Sequence, residues 1–534
     1  MNPDDTPSPT PATPTPTALQ RCEPWSYGDP PPVPDLGEPW WRRAVVYEIF
    51  VRSFLDTDGD GLGDLAGITS KLDYIQSLGA NTLWLMPIFP SPSQHGYDVT
   101  DYEGVDPDYG DEDQLAALLD SAHARGMAVI LDLPLNHSSN QHPWFQDALT
   151  PDAPKRDYYR WSETYVTTGW HSAAPAGEGY YYARFSTTMP DLNYDTADVR
   201  QQMLDVMDGW LWRGVDGFRL DAVRHLIETP EVVDDHPGNF CVLPGLRRSL
   251  AQTRPDMLMI GEIWSGLPDI APYLEDGEDD LLPLVFDFPV AEAMTVGLQT
   301  SDPLRVSVAL DARKVAYPLG EEQGAPFLSN HDQTRIASAL GSHAGKLRLA
   351  AGLLYALPGP PIVYYGEELG MTGEKGGTND NPLRSPMQWT GEAPNFGFTT
   401  GIPWYRINPE AATLNVMMEE EDPTSLLRWY QELGTLRATS DALQVGQRTT
   451  LPTNRLDALA FMRQGEGEFV LVLANFSGVD SAVAVDLSAV WPEGGWTSAE
   501  MMLGENAALT APVPSPSWTP GTLPPWGIWY LRLR

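Results

Sequence analysis

The chain of 534 residues reads as an α/β protein, a (β/α)8 TIM barrel with an insertion after the third strand and a C-terminal antiparallel β-sandwich. Three observations predict it. Short β-branched runs recur along the chain, each ending in a polar cluster and followed by a helix-like segment, the pattern of barrel strands whose C-terminal ends form one ring. Between residues 138 and 194 that rhythm is interrupted by an aromatic, Gly-rich excursion containing WFQDA, DYYRW and GYYYARFSTTMPDLN. From about residue 444 it changes to short alternating strands such as FVLVLANF and GIWYLRLR, with Gly/Pro turns and no long helix. The predicted partition is therefore a spacer at 1–38, a barrel at 39–137 and 195–443, an inserted domain at 138–194 and a β-sandwich at 444–534.

Composition narrows the function. With 73 acidic against 33 basic side chains the formal charge is -40, which argues against nucleic acid or an anionic membrane as partner. A neutral polysaccharide meets no such objection. No apolar run is long enough to span a bilayer, and two cysteines, Cys22 and Cys241, make no disulfide framework. Residues 1–38, TPSPTPATPTPT followed by PPPVPDLGEP, form an extended Pro/Thr-rich spacer. Two readings stand: a tether for an extracellular or envelope-tethered enzyme, or a disordered extension of a soluble protein.

Taken in order, residues 45–51 supply the first strand and residues 56–64, DTDGDGLGD, follow it directly. Acidic residues at alternate positions with glycines at the turns make a compact oxygen cage of the kind calcium favours; a plain Asp/Gly turn is the alternative. A helix fits 65–78, and a second strand 81–86 leads to a loop holding His95, Tyr97, Asp98, Asp101 and Tyr102. The third strand, MAVILDLPLNH at 127–137, ends in Asn136 and His137. In GVDGFRLDAVRHLIE at 214–228, Val215, Phe218 and Leu220 mark a buried strand that turns helical from Ala222. Asp221 then sits at the strand's mouth with Arg219 two residues back on the same face, a neighbour that favours the ionised carboxylate. A structural Arg/Asp pair capping the helix would have the same sequence. MLMIGEIW at 257–264 ends in Gly261 and Glu262, and APFLSNHDQTR at 325–335 ends in Asn330, His331 and Asp332. The chain is then helical up to a last barrel strand near 361–366, PIVYYGEE.

DLPLNH, GFRLDAVRH, GEIW and FLSNHD, in that order, resemble the four signature regions of the α-amylase superfamily of glycoside hydrolases. The resemblance runs from about Trp40 to the C-terminus, and MPDLN at 189–193 is similar to the group intermediate between oligo-1,6-glucosidases and neopullulanases. It implies Asp221 as nucleophile, Glu262 as general acid and then base, and Asp332 as the charged group stabilising an oxocarbenium-like transition state. It further implies Tyr97 stacking on the sugar, Asp98 and Arg384 gripping its non-reducing side, His137 and His331 as donors, Arg219 orienting Asp221, and Arg224 and His225 bordering the acceptor. Calcium is expected in the first loop on Asp56, Asp58, Asp60 and Asp64 with the Leu62 carbonyl. A second cation is expected where the insertion meets the barrel, on Asn136, Asp191 and Glu228 with the carbonyls of His225 and Leu226; a hydrogen-bonded junction without metal is the alternative. The implied activity is retaining cleavage of α-1,4-glucosidic bonds in starch and malto-oligosaccharides, by a monomer, with some transglycosylation. Arg224 and His225 favour that reading, whereas Asp98 and Arg384 favour an exo-acting α-glucosidase or a trehalose synthase-like isomerase. A catalytically inactive, transporter-associated relative would lack one or more of the three acids.

Overall fold

The structure is a computed structural model, and it describes residues 39–534 apart from 231, 278–280, 378 and 505–508. The predicted spacer at 1–38, with Cys22, lies outside the described residues. Cys241, on the helix Asn239–Leu250, is disulfide-bonded, which answers for that residue a question of pairing that the sequence leaves open.

Eight parallel strands form the barrel: β1 (Val46–Ile49), β2 (Thr82–Leu85), β3 (Ala128–Leu133), β4 (Gly217–Leu220), β5 (Leu258–Gly261), β6 (Leu284–Phe286), β7 (Gly324–Ala325) and β8 (Ile362–Tyr364). Neighbours in sequence pair in space, β1 also pairs with β8, and a parallel bridge from Phe327 to Ile362 closes the ring. The strands are buried on both faces, which is why they read as continuous apolar runs instead of alternating ones. Inside, Val46, Trp84, Ile130, Ile260, Phe286 and Phe327 pack in one cluster, closed at its base by Trp41. Strand side chains repeat every second residue, so two positions on from Val46, Ile130 and Ile260 stand Glu48, Asp132 and Glu262, above an apolar floor.

Two predicted helices are interrupted. Residues 65–78 form Leu65–Ser70 and Leu72–Ser77, broken at Lys71. There Thr69 and Ser70 turn their hydroxyls back onto the Leu65 and Gly67 carbonyls, competing with the helical ladder. After β7 the chain is helical at Ile336–Ala339 and Ala344–Ala356, separated by left-handed Gly341 and Ser342.

The insertion carries the helix Pro143–Ala148 and a three-stranded antiparallel sheet of Trp161–Ser162, Tyr180–Tyr182 and Trp170–Ser172, in that spatial order. The C-terminal region is a five-stranded antiparallel sheet, in the order 447–450, 458–464, 469–475, 528–533, 499–504, with two short ribbons. Its alternation decides its packing. Leu459, Phe461, Val470, Val472 and Tyr530 join the barrel's outer core, while Ala460, Met462, Leu471, Leu473, Trp529 and Leu531 form a separate core with the ribbons.

Candidate active site

The site is built where the strands end. Gly217 opens β4 so close to β5 that a Cβ on it would lie 2.3 Å from the Leu258 carbonyl oxygen. That approach sets Arg219 in the barrel's lumen, where it is buried. Its Nη1 donates to Asp132 Oδ1 at 2.8 Å and to Asp221 Oδ1 at 2.6 Å, and its Nη2 lies 3.0 Å from Glu262 Oε2. Immediately after Asp221 the backbone turns left-handed at Ala222 (φ 51°), and the Ala222 N–H donates to Glu262 Oε2 at 3.1 Å. One guanidinium thus gathers three carboxyl groups from three adjacent strands.

A second acid faces them. Asp332 Oδ1 accepts from Arg384 Nη2 at 2.8 Å, and its Oδ2 is 3.3 Å from His331 Nε2. His331 is fixed through Nδ1 to Glu48 Oε1 at 2.6 Å, and its Nε2 is 2.7 Å from the Tyr97 hydroxyl. That hydroxyl donates to Asp132 Oδ2 at 3.0 Å. Asp221, Arg219, Asp132, Tyr97, His331 and Asp332 therefore form one continuous polar chain. Asp132 and Glu48 were missed from the sequence. Each is a fully buried charge inside an apolar strand, and a buried charge requires a partner, which was the available signal.

The electrostatics separate these acids. Burial raises the Glu262 carboxyl to about 7, with Asp221 and Asp332 adding to the rise and Arg219 opposing it. Burial also raises Asp221 and Asp132, again against Arg219. One positive charge serves three carboxyl groups, which favours a shared proton among them, and Glu262 is raised to about 7. Burial alone would raise Asp332 too, but His331, Arg384 and Arg219 hold it far below the ordinary carboxylate range. His331 is the converse: burial disfavours its charge, yet Asp332 and Glu48 push it up to about 10.

The other predicted residues surround this core. Tyr97 stacks on the His331 ring, with centroids 5.7 Å apart and planes 21° from parallel. Asp98 is buried and held by the Ser91 hydroxyl at 2.7 Å and by that of Ser93. Arg384, expected beside Asp98, makes its ion pair with Asp332. His137 is buried, which lowers it to about 3, and its Nε2 has no hydrogen-bond partner among the described residues. Arg224 is taken up by Asp235, with Nε to Oδ1 at 2.8 Å and a second bond from Nη2 to Oδ2, and His225 Nδ1 sits 2.9 Å from Glu228 Oε1. Two aromatics not predicted as site residues stand at the rim. Phe185, 48% exposed, packs on both His137 and His225, and Trp264, 50% exposed, stacks on Phe288.

The two predicted cation sites differ. Asp56, Asp58 and Asp64 each bring one carboxylate oxygen within 4.8 Å of the others, a hard-oxygen set that fits calcium. Asp60 falls outside that group, and its Oδ1 accepts from the Leu62 N–H at 2.8 Å. At the junction, Asn136 Oδ1, Asp191 Oδ2 and Glu228 Oε2 are all buried without a hydrogen-bond partner among the described residues. Asp191 is held well above the usual carboxylate range by burial and then by Glu228. Unpartnered oxygens crowded in this way fit a cation.

Residues 48–446 match the family model described as alpha amylase, catalytic domain. The chain is 37% identical over 450 residues to Alpha-amylase 3 of Dictyoglomus thermophilum, spanning 83% of this chain and 87% of that one. It is 33% identical over 513 residues to the trehalose synthase/amylase of Mycolicibacterium smegmatis, spanning 84% and 86%. Among solved structures, the alpha-amylase from H. orenii superposes with a TM-score of 0.81 at 33% identity, covering 92% of this chain and 99% of that one. With its barrel and its acids at the strand ends, the chain belongs to the α-amylase family of glycoside hydrolases.

Proposed function

We propose that the chain is a retaining hydrolase of α-1,4-glucosidic bonds in starch and malto-oligosaccharides. The observation that carries this reading is the single Arg219 guanidinium shared by Asp221 and Glu262, with Glu262 pushed up to about 7. Asp221 attacks the anomeric carbon while Glu262 gives its proton to the departing glycosidic oxygen, leaving a glycosyl ester on Asp221. Glu262, now a carboxylate, takes a proton from water, whose oxygen attacks the same carbon and releases Asp221. Asp332, held ionised by His331 and Arg384, faces the charge that develops on the ring. Tyr97 offers the sugar a ring face, and the unpartnered Nε2 of His137 is available to a sugar hydroxyl.

Calcium belongs to the same reading as a structural ion. Asp56, Asp58 and Asp64 would hold one ion, and Asn136, Asp191 and Glu228 a second beneath the insertion. The location proposed is extracellular or envelope-tethered, resting on the Pro/Thr-rich spacer.

One observation favours a second reading, an exo-acting glucosidase or trehalose-forming isomerase: Arg384, the residue whose counterparts bind a terminal sugar, is buried and bonded to Asp332. Early products from maltoheptaose decide between them. A spread of short oligomers supports internal cleavage, glucose alone supports exo attack, and product from Glu262→Gln equal to that of wild type refutes both.

A further inference from the structure

We propose that a cavity between the inserted segment and the loop after β4 is an accessory saccharide-binding site that holds one or two glucosyl units of a neutral α-glucan chain. The cavity is about 430 Å³, within the usual range for small ligands, and none of Asp221, Glu262, Asp332 or His137 lines it. Its aromatic members are not equivalent. Trp161 is already engaged: Phe145 stacks on it with planes 15° apart, and the Arg156 guanidinium lies 3.5 Å from its ring centroid. Among the described aromatic rings Trp170 packs on that of Tyr182, at a tilt of 55°, and no described residue accepts from its indole N–H. A half-buried indole with an unused donor suits the C–H face and hydroxyl edge of a pyranose.

The polar lining points the same way. The lining mixes both signs, Arg156 and Arg160 with Asp157, and its Glu228 belongs to the junction oxygens already described. Arg160 spends one nitrogen on Asp195, and Arg156 spends one on the Ala148 carbonyl and another, at 3.4 Å, on that of Glu178. Donors and acceptors in balance beside one aromatic face describe a neutral polyol ring. A chain held there and also threaded through the catalytic centre would be bound at two points, which favours long substrates over short ones.

This inference rests on the α-glucan reading, and the test keeps the two apart. Glu262→Gln, chosen so that the matrix is not digested, is run with and without Trp170→Ala through native gels containing soluble starch. Trp170→Ala alone is assayed on maltotriose. The expected result is starch affinity weakened about fivefold or more, with maltotriose turnover within about twofold of wild type and the melting temperature unchanged. Unchanged starch affinity overturns the site. Wild type that cleaves no α-glucan overturns the functional reading, while the gel still reports on the cavity. Should Trp170→Ala fold poorly, Pro230→Arg at the exposed rim fills the cavity without touching the aromatic packing. Retention of full starch affinity by that variant likewise overturns the site.

Discussion

Replacing Arg219 by lysine tests the shared guanidinium most directly. Two nitrogens of Arg219 reach three carboxyl groups, with Nη1 on Asp132 and Asp221 and Nη2 on Glu262. A single ammonium on a shorter fork cannot span all three, and Glu262, on the far nitrogen, is the partner it loses. A charge-assisted hydrogen bond of this kind is worth about 1.5–3 kcal/mol, and about 1.4 kcal/mol corresponds to one pH unit. Glu262 therefore rises from about 7 to about 8 or above. The sign follows from its role. A general acid works while protonated, so activity is present below its pKa and lost as pH rises through it. In wild type the alkaline limb of kcat/KM falls near pH 7; in Arg219→Lys it moves about one unit upward. Asp221 also loses part of its orienting contact, so kcat/KM at the optimum drops about 100-fold. The assay is a pH profile of kcat/KM on a chromogenic malto-oligosaccharide. An alkaline limb that stays in place, or moves to lower pH, would refute the assignment of Glu262 as the acid set by Arg219.

Four further outcomes are expected. Glu262→Gln lowers kcat/KM by about 10³-fold with little change in melting temperature, measured by hydrolysis and by calorimetry. Gly217→Ala drives a Cβ to within 2.3 Å of the Leu258 carbonyl, and overpacking of about 1–3 kcal/mol lowers the melting temperature and the soluble yield. Chelation followed by dialysis lowers the melting temperature, and Asp58→Ala removes the share of that difference due to the first ion, because a ligand bound only by the folded state adds stability. His331, raised in the fold to about 10 from an ordinary 6.5, contributes stability that is full below about pH 6.5. That contribution is lost as pH rises toward 10, so melting temperatures decline across this window, and His331→Gln flattens the decline.

Much of this architecture was legible in the residues because barrel chemistry is local to strand ends. Asp221 and Glu262 each follow directly on a short apolar run and Asp332 stands four residues beyond Leu328, the last apolar residue of its run, and the closing of the sheet brings such positions together whatever the loops do. Asp132 and Glu48 escaped because their meaning is non-local. An acid within an apolar run becomes informative only when the residue opposite is known, and their partners lie 87 and 283 positions away in sequence. Phe185 was illegible for a related reason: nothing in GYYYARFSTTMPDLN tells which aromatic is turned toward the strand ends and which is buried in the insertion. The break at Lys71 depended on hydroxyls turning back onto carbonyls, which a hydrophobic period does not register.

The polar chain from Asp221 to Asp332 borrows from the loop after β2, from β3 and β4 and from the segment after β7, so its two ends are contributed by parts of the polypeptide made far apart in time. No half-barrel contains a working fragment of it. Turnover therefore counts only molecules whose sheet has come full circle, and a refolding culture or a nicked preparation will show fewer active copies, each at full speed, instead of a uniformly slower enzyme.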